Sequence, residues 1–140
     1  WWEEAFTYGM NENAWYFGVD GIDKKSELYR IGSDRDAVWE TMRLGKSMGV
    51  AIVWQFIVFG YNEHEIERAK EMAEEEGFTL LLVKTNRGFD PQARNIRKSM
   101  KDIYENFPAP SKKNTVKKIK NEEYFNVTTA LETWRNTRNT

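Results

Sequence analysis

The chain contains no cysteine. That absence removes disulfides, thiol nucleophiles and thiolate-ligated clusters. A single histidine, His64, leaves little from which to build a metal site. No apolar run reaches the ~18 residues that a membrane span needs, and no signal-peptide pattern opens the chain. Charge of one sign is lacking too. The 21 basic and 22 acidic residues give a formal net charge of -1, so nothing in bulk pulls the chain towards nucleic acid or an acidic membrane. There is no Gly-rich phosphate loop and no nucleophile elbow, and one histidine leaves no Ser-His-Asp set to assemble. The first residue is Trp and the last twenty end in a polar string, and both ends read as cuts.

What is present is a core. A hydrophobic share of 40% and an aromatic share of 14% over 140 residues suit one packed domain, or part of a larger one. Val50 to Phe59, VAIVWQFIVF, carries a single polar side chain, Gln55. A run of that kind suits a strand covered on both faces, as in a parallel sheet. Gly60, Tyr61 and Asn62 break it, and Asn62 with Glu65 three residues on makes a helix N-cap and capping-box pair.

The rest of the chain follows the same alternation. Trp2, Ala5 and Phe6 fall at helical spacing before Gly9. Trp15 to Asp20 reads as a short strand, and a polar loop from Gly21 to Gly32 contains Tyr29-Arg30. Ser33 can cap the next helix, whose stripe is Val38, Met42, Gly45 and Met48, with Gly49 at its end. The central strand precedes a helix with Ile66, Ala69 and Ala73 inside and Gly77 as its stop. Phe78 to Thr85 is a third strand, and Asp90-Pro91 opens a last helix with Ile96, Met100, Ile103 and Phe107 buried. Alternation of this kind predicts an α/β fold of parallel βα repeats with right-handed connections. The domain plan is a regular unit over 1–107, a basic linker over 108–123 and a tail over 124–140 with enough apolar residues for a docking helix. Three parallel strands are few for a free-standing sheet, so half of a barrel or of a larger sheet is expected.

In parallel α/β folds ligands lie at the carboxyl ends of the strands. Those ends carry Gly18-Val19-Asp20-Gly21, Gly60-Tyr61-Asn62 and Lys84-Thr85-Asn86-Arg87. Asp20 can accept hydrogen bonds from a ribose hydroxyl or an amine, or simply cap backbone amides in a turn. Arg30 can clamp a carboxylate with its planar fork, or lie on the surface. Gln55 shares a face with Val53 and Ile57, expected to be the inner one, and needs a partner there: a ligand amide, a ring nitrogen or a neighbouring backbone group. Asn62 reads as a cap. His64, between two glutamates in the first turn of a helix, reads as solvent-facing. The lysine run at 112–120 reads as a solvated face, with no aromatic platform for nucleic acid.

The order WW…FGVDG…YRIG…VWQFIVFGYNEHEIERAKEMAEEEGF…VKTNRGF resembles the C-terminal half of a radical S-adenosylmethionine (radical SAM) domain, in particular SPASM-like proteins of phages and bacteria. The likeness covers roughly residues 1–89 and rests on order and spacing together. It implies the second half of a partial (β/α)6 TIM-like barrel, supplying the fourth, fifth and sixth strands. In that family a CxxxCxxC loop in the first half holds a [4Fe-4S] cluster. The cluster cleaves S-adenosylmethionine to a 5′-deoxyadenosyl radical that abstracts hydrogen from a substrate. On this map the cofactor-binding positions are Gly18, Asp20, Arg30, Gln55 and Asn62. Gly18 stands where relatives often carry Ser in an S-x-D-G pattern, a departure that removes a side-chain contact. Asp20 matches the pattern's Asp, Arg30 falls at the methionyl-carboxylate arginine, and Gln55 lies on the strand lining the nucleoside site. Without cysteine this chain cannot ligate the cluster, so it is expected to be inactive alone and completed by an N-terminal barrel half. That half would lie in the same chain or in a split partner, in the cytoplasm. The alternative is a non-catalytic half-barrel binding module that docks a partner chain.

Overall fold

The computed structural model of the chain describes residues 1–9, 13–22, 34–83 and 122–138. Among them the element order is helix α1 (Trp2–Gly9), strand β1 (Ala14–Gly18), helix α2 (Arg35–Ser47), strand β2 (Ala51–Ile57), a 3-10 turn (Glu63–Glu65), helix α3 (Ile66–Glu76), strand β3 (Thr79–Val83), strand β4 (Glu122–Phe125) and helix α4 (Thr129–Arg138). The four strands form one sheet in the order β1-β2-β3-β4. β1, β2 and β3 are parallel, and β4 joins β3 antiparallel. The α/β reading therefore holds, with an additional strand in the region read as linker and tail. The expected helix over 91–107 and the lysine run at 112–120 lie outside the described residues.

The register separates the two faces of the sheet. Ile52, Trp54 and Phe56 of β2 point to the same side as Leu80 and Leu82 of β3, and there they meet Trp39 and Met42 of α2 and Ile66, Ala69 and Ala73 of α3. Phe6 of α1 joins this core, fully buried. Both crossover helices thus lie on one face, and sequential strands pair side by side. The opposite face carries Ala51, Val53 and Leu81, covered by Leu131 and partly by Ala130 and Trp134 of α4. This helix falls in the region read as a tail, and Leu131 is its buried contact with the sheet.

Local signals explain most element ends. Asp34 caps α2, its Oδ1 accepting from the Ala37 amide at 3.1 Å. Ser33, the expected cap, lies outside the described residues. Met48 ends α2, and Gly49 follows at φ +82, a left-handed conformation that glycine adopts freely. Gly77 ends α3 in the same way at φ +76. The β4–α4 corner is fastened by Asn126, itself at φ 55. Its Nδ2 donates to the carbonyls of Ala73 (3.1 Å) and Phe78 (2.6 Å), while its own carbonyl accepts from Thr79 Oγ1 at 3.0 Å. An Asn tolerates that backbone conformation better than most residues, and here its side chain satisfies two carbonyls at the α3–β3 turn.

Candidate functional site

Gly18 of β1 lies beside Gln55 of β2 in the register, and the Val19 amide donates to the Gln55 carbonyl at 3.0 Å. Continued one step, a parallel ladder would bring the Ile57 amide to the Val19 carbonyl. Side chains take over instead. Asp20 Oδ1 accepts from the Ile57 amide at 2.8 Å, and the Val19 carbonyl accepts from Trp54 Nε1 at 2.6 Å. The Asp20 carboxylate thus stands in for a strand carbonyl where β1 leaves the sheet.

Asn62 closes the same corner from the β2 side. Its Nδ2 donates to the Asp20 carbonyl and to the Ile57 carbonyl, each at 2.9 Å. Its Oδ1 accepts from the Phe59 amide at 2.8 Å. Tyr61 adds a longer bond from its hydroxyl to the Asp20 carbonyl, 3.3 Å. Asp20 and Asn62 are both at 0% exposure. Asn62 makes no side-chain cap to the following helix, contrary to the capping-box expectation: only its carbonyl takes part, accepting from the Glu65 amide. Its carboxamide reaches backward along the chain and across to β1, a use that local spacing cannot show.

Of the five sequence-predicted positions, the structure brings four together: Gly18, Asp20, Gln55 and Asn62 sit at the carboxyl ends of β1 and β2. Arg30 lies outside the described residues. Gln55 differs from Asp20 and Asn62. It is half-buried on the face opposite α2 and α3, and among the described residues no side-chain hydrogen bond engages its amide. Its neighbour in β1, Gly18, presents no side chain beside it. Gln55 therefore keeps a donor and an acceptor for something else. His64, in the 3-10 turn, is exposed, as expected.

Two tyrosines join this face. Tyr16 and Tyr124 bring their hydroxyls to 3.4 Å from opposite strands of the sheet, β1 and β4. Arg135 of α4 lies over the Tyr124 ring at 4.5 Å. Burial, then the hydrogen bond to Tyr124, pushes the Tyr16 phenol well above its ordinary value. The period-two alternation of β1 puts Tyr16 on the Gly18 face, but the partner comes from a strand more than a hundred residues later.

Among the described residues no group of three or more His, Cys, Asp or Glu could hold a metal ion. No described helix is long and apolar enough to cross a membrane. Comparison with family models, curated proteins and solved structures finds no match to this chain.

Proposed function

We propose that the chain is the S-adenosylmethionine-contacting half of a radical SAM enzyme, forming the second half of a partial (β/α)6 barrel. The observation that carries the reading is the winding of the sheet. β1, β2 and β3 are parallel neighbours in sequence order, and both crossover helices cover the same face. A doubly wound sheet sends helices to both faces about a switch point, whereas an arc of a barrel keeps them outside. We read the opposite face, which carries Gln55 and takes the added helix α4 over Ala51, Val53 and Leu81, as the inner one.

The residues fit the two cofactors unequally. A chain without cysteine offers no thiolates for a [4Fe-4S] cluster, so no step through the cluster is assigned to it. For S-adenosylmethionine the fit is better. Gln55 offers an uncommitted amide to the nucleoside beside the bare backbone of Gly18, and the resemblance adds Arg30 for the methionyl carboxylate. When bound beside a reduced cluster, S-adenosylmethionine supplies the hydrogen-abstracting radical. This chain's part is to bind and orient it.

The test is S-adenosylmethionine binding by the protein in its full reading frame, followed by calorimetry, with Arg30→Ala and Gln55→Ala alongside. Both variants should weaken binding while the circular dichroism spectrum stays native. Binding that neither variant changes removes both roles. A full reading frame without CxxxCxxC, and no partner that carries it, sinks the enzymatic reading. The second reading, a binding module that docks a partner chain, is favoured by one feature: Trp1 and Tyr8 of the N-terminal segment are 82% and 84% exposed. Large exposed aromatics suit an interface. Pull-down of a defined partner that Trp1→Ala and Tyr8→Ala abolish, with no S-adenosylmethionine bound, would favour it.

A further inference from the structure

We infer that Asn62 and Asp20 are positioning residues, which shape the cofactor site through the main chain and do not touch the cofactor. This rests on the S-adenosylmethionine reading above and departs from the direct-contact roles that the resemblance assigns to both positions. The reason is burial together with the direction of their bonds. Each side chain is at 0% exposure. Both Nδ2 hydrogens of Asn62 are used on carbonyls, of Asp20 and of Ile57, and its Oδ1 accepts from the Phe59 amide. Asp20 Oδ1 accepts from the Ile57 amide. These bonds join four main-chain groups from the ends of two neighbouring strands into one reciprocal knot.

What the knot controls follows from where the chain goes next. At Asp20 the backbone leaves β1, and the Gly60-Tyr61 exit from β2 meets it there through the Tyr61 hydroxyl, which donates to the Asp20 carbonyl. Regular strand pairing stops two residues earlier in β1, at Gly18, and the Val19 amide makes the last backbone bond to β2. Beyond that point, among the described residues, the bonds between the two strand ends run through the side chains of Asp20, Trp54, Tyr61 and Asn62. A rim held this way presents the Gly18 backbone and the Gln55 amide in a fixed relation. Preorganisation of that kind saves binding free energy because the site need not be ordered by the ligand.

The inference separates two kinds of effect that a simple loss of stability would not separate. Asn62→Ala should weaken S-adenosylmethionine binding about tenfold or more, as removal of a supporting hydrogen-bond partner does at other ligand sites. It should also speed hydrogen exchange at the Phe59 amide, which loses its acceptor. Met42→Ala, in the α2 core on the sheet face opposite Gln55, is the control: it should lower the melting temperature at least as much and leave the affinity near wild type. Asp20→Asn keeps an oxygen for the Ile57 amide, so it should bind more tightly than Asp20→Ala. Titrations of all four variants in the full-length protein, with hydrogen exchange read by mass spectrometry, measure this. Affinity unchanged in Asn62→Ala overturns the inference, and so does Met42→Ala weakening binding equally. Asp20→Asn losing as much as Asp20→Ala would point to a direct charge contact and overturn it too. A wild-type protein that binds no S-adenosylmethionine fails at an earlier step, because it removes the reading on which the inference rests.

Discussion

On one face of β2, Ile52, Trp54 and Phe56 sink into a core of large side chains; on the other, Ala51, Val53 and Gln55 are mostly small or polar. The first face is aromatic and tightly interlocked. Trp39 stands edge-on to Trp54 with centroids 4.9 Å apart and edge-on to Phe78 at 5.2 Å. The second is closed over its apolar part by Leu131 and its neighbours on one ten-residue helix. The contrast divides the labour of the strand. Crossover helices bring bulk and hold the fold, while the other face, short of bulk, leaves Gln55 half-exposed between Gly18 and Leu81. A site needs such a shortage.

Truncating one residue on each face tests that division. Trp54→Ala should cost about 3–5 kcal/mol, because it opens a large cavity among buried aromatics and removes the indole donor to the Val19 carbonyl. Leu131→Ala should cost about 2–3 kcal/mol, at the low end for buried leucine, since α4 covers the sheet from one side and can settle into the gap. Urea unfolding of both variants gives the two values. If Leu131→Ala proves as costly as Trp54→Ala, the faces are energetically equal and the division fails. Gly45→Ala probes the tightness of the aromatic face from within α2. An added Cβ would stand 2.7 Å from Ile52 Cδ1 and 3.0 Å from Phe6 Cζ. Overpacking of that kind costs about 1–3 kcal/mol, and the helix propensity of alanine returns up to ~1 kcal/mol. A net loss near 1 kcal/mol in the same unfolding measurement is expected. A stabilised variant would show a looser core than the distances imply.

The same two faces divide what the sequence reveals from what it withholds. The apolar run over Val50 to Phe59 announced β2, and helical spacing placed Met42, Gly45, Ile66, Ala69 and Ala73 inside, where the structure has them. Gly49 and Gly77 marked helix ends correctly, because left-handed backbone is a local requirement. These signals are local, or periodic within one element. β4 gave no such signal: Glu122–Phe125 is four residues of mixed polarity, a strand only because β3 offers its edge. Asn62 was legible as a capping residue and is used differently, since its partners lie on β1 and behind it on β2. Alternation placed Gln55 with Val53 and Ile57, but which face lies away from the crossover helices needed the fold. For the site, then, spacing brought the right positions forward, and tertiary contacts decided which of them are structural.

A smaller effect is expected where α2 and α3 meet at the surface. Arg43 donates from Nε and Nη2 to the two oxygens of Glu76, at 2.9 and 2.7 Å, and from Nη1 to Glu40 at 2.8 Å. These carboxylates, Glu76 first, raise the Arg43 pKa, though its side chain stays 49% exposed. Screening by solvent limits an exposed pair to under about 1 kcal/mol even with two-point geometry. Arg43→Met should therefore cost less than Gly45→Ala, and the loss should shrink in high salt. A salt-independent loss would mean that the stem's packing matters more than its charge.

The smallest effect, on the Gln55 face, is one of pH. Tyr16 is held above the ordinary phenol value of 10.0 first by burial and then by its hydrogen bond to Tyr124. The folded state therefore prefers the neutral phenol more than the unfolded state does. The sign follows: the contribution is fully present below pH 10.0 and is lost as pH rises through the higher folded value. Because Tyr16 is 42% exposed, solvent moderates the loss. Lysines and other tyrosines titrate in the same range, so the useful quantity is a difference between proteins. Stability measured in urea from about pH 9 upward should fall more steeply for wild type than for Tyr16→Phe, which has no phenol to ionise. Tyr124→Phe removes the hydrogen-bond contribution and leaves the burial of Tyr16, so its slope should fall between the two. Equal slopes in all three would mean that the hydroxyls do not meet in solution. The Gln55 face would then be more open than the structure draws it, and the contrast between the two sides of β2 correspondingly sharper.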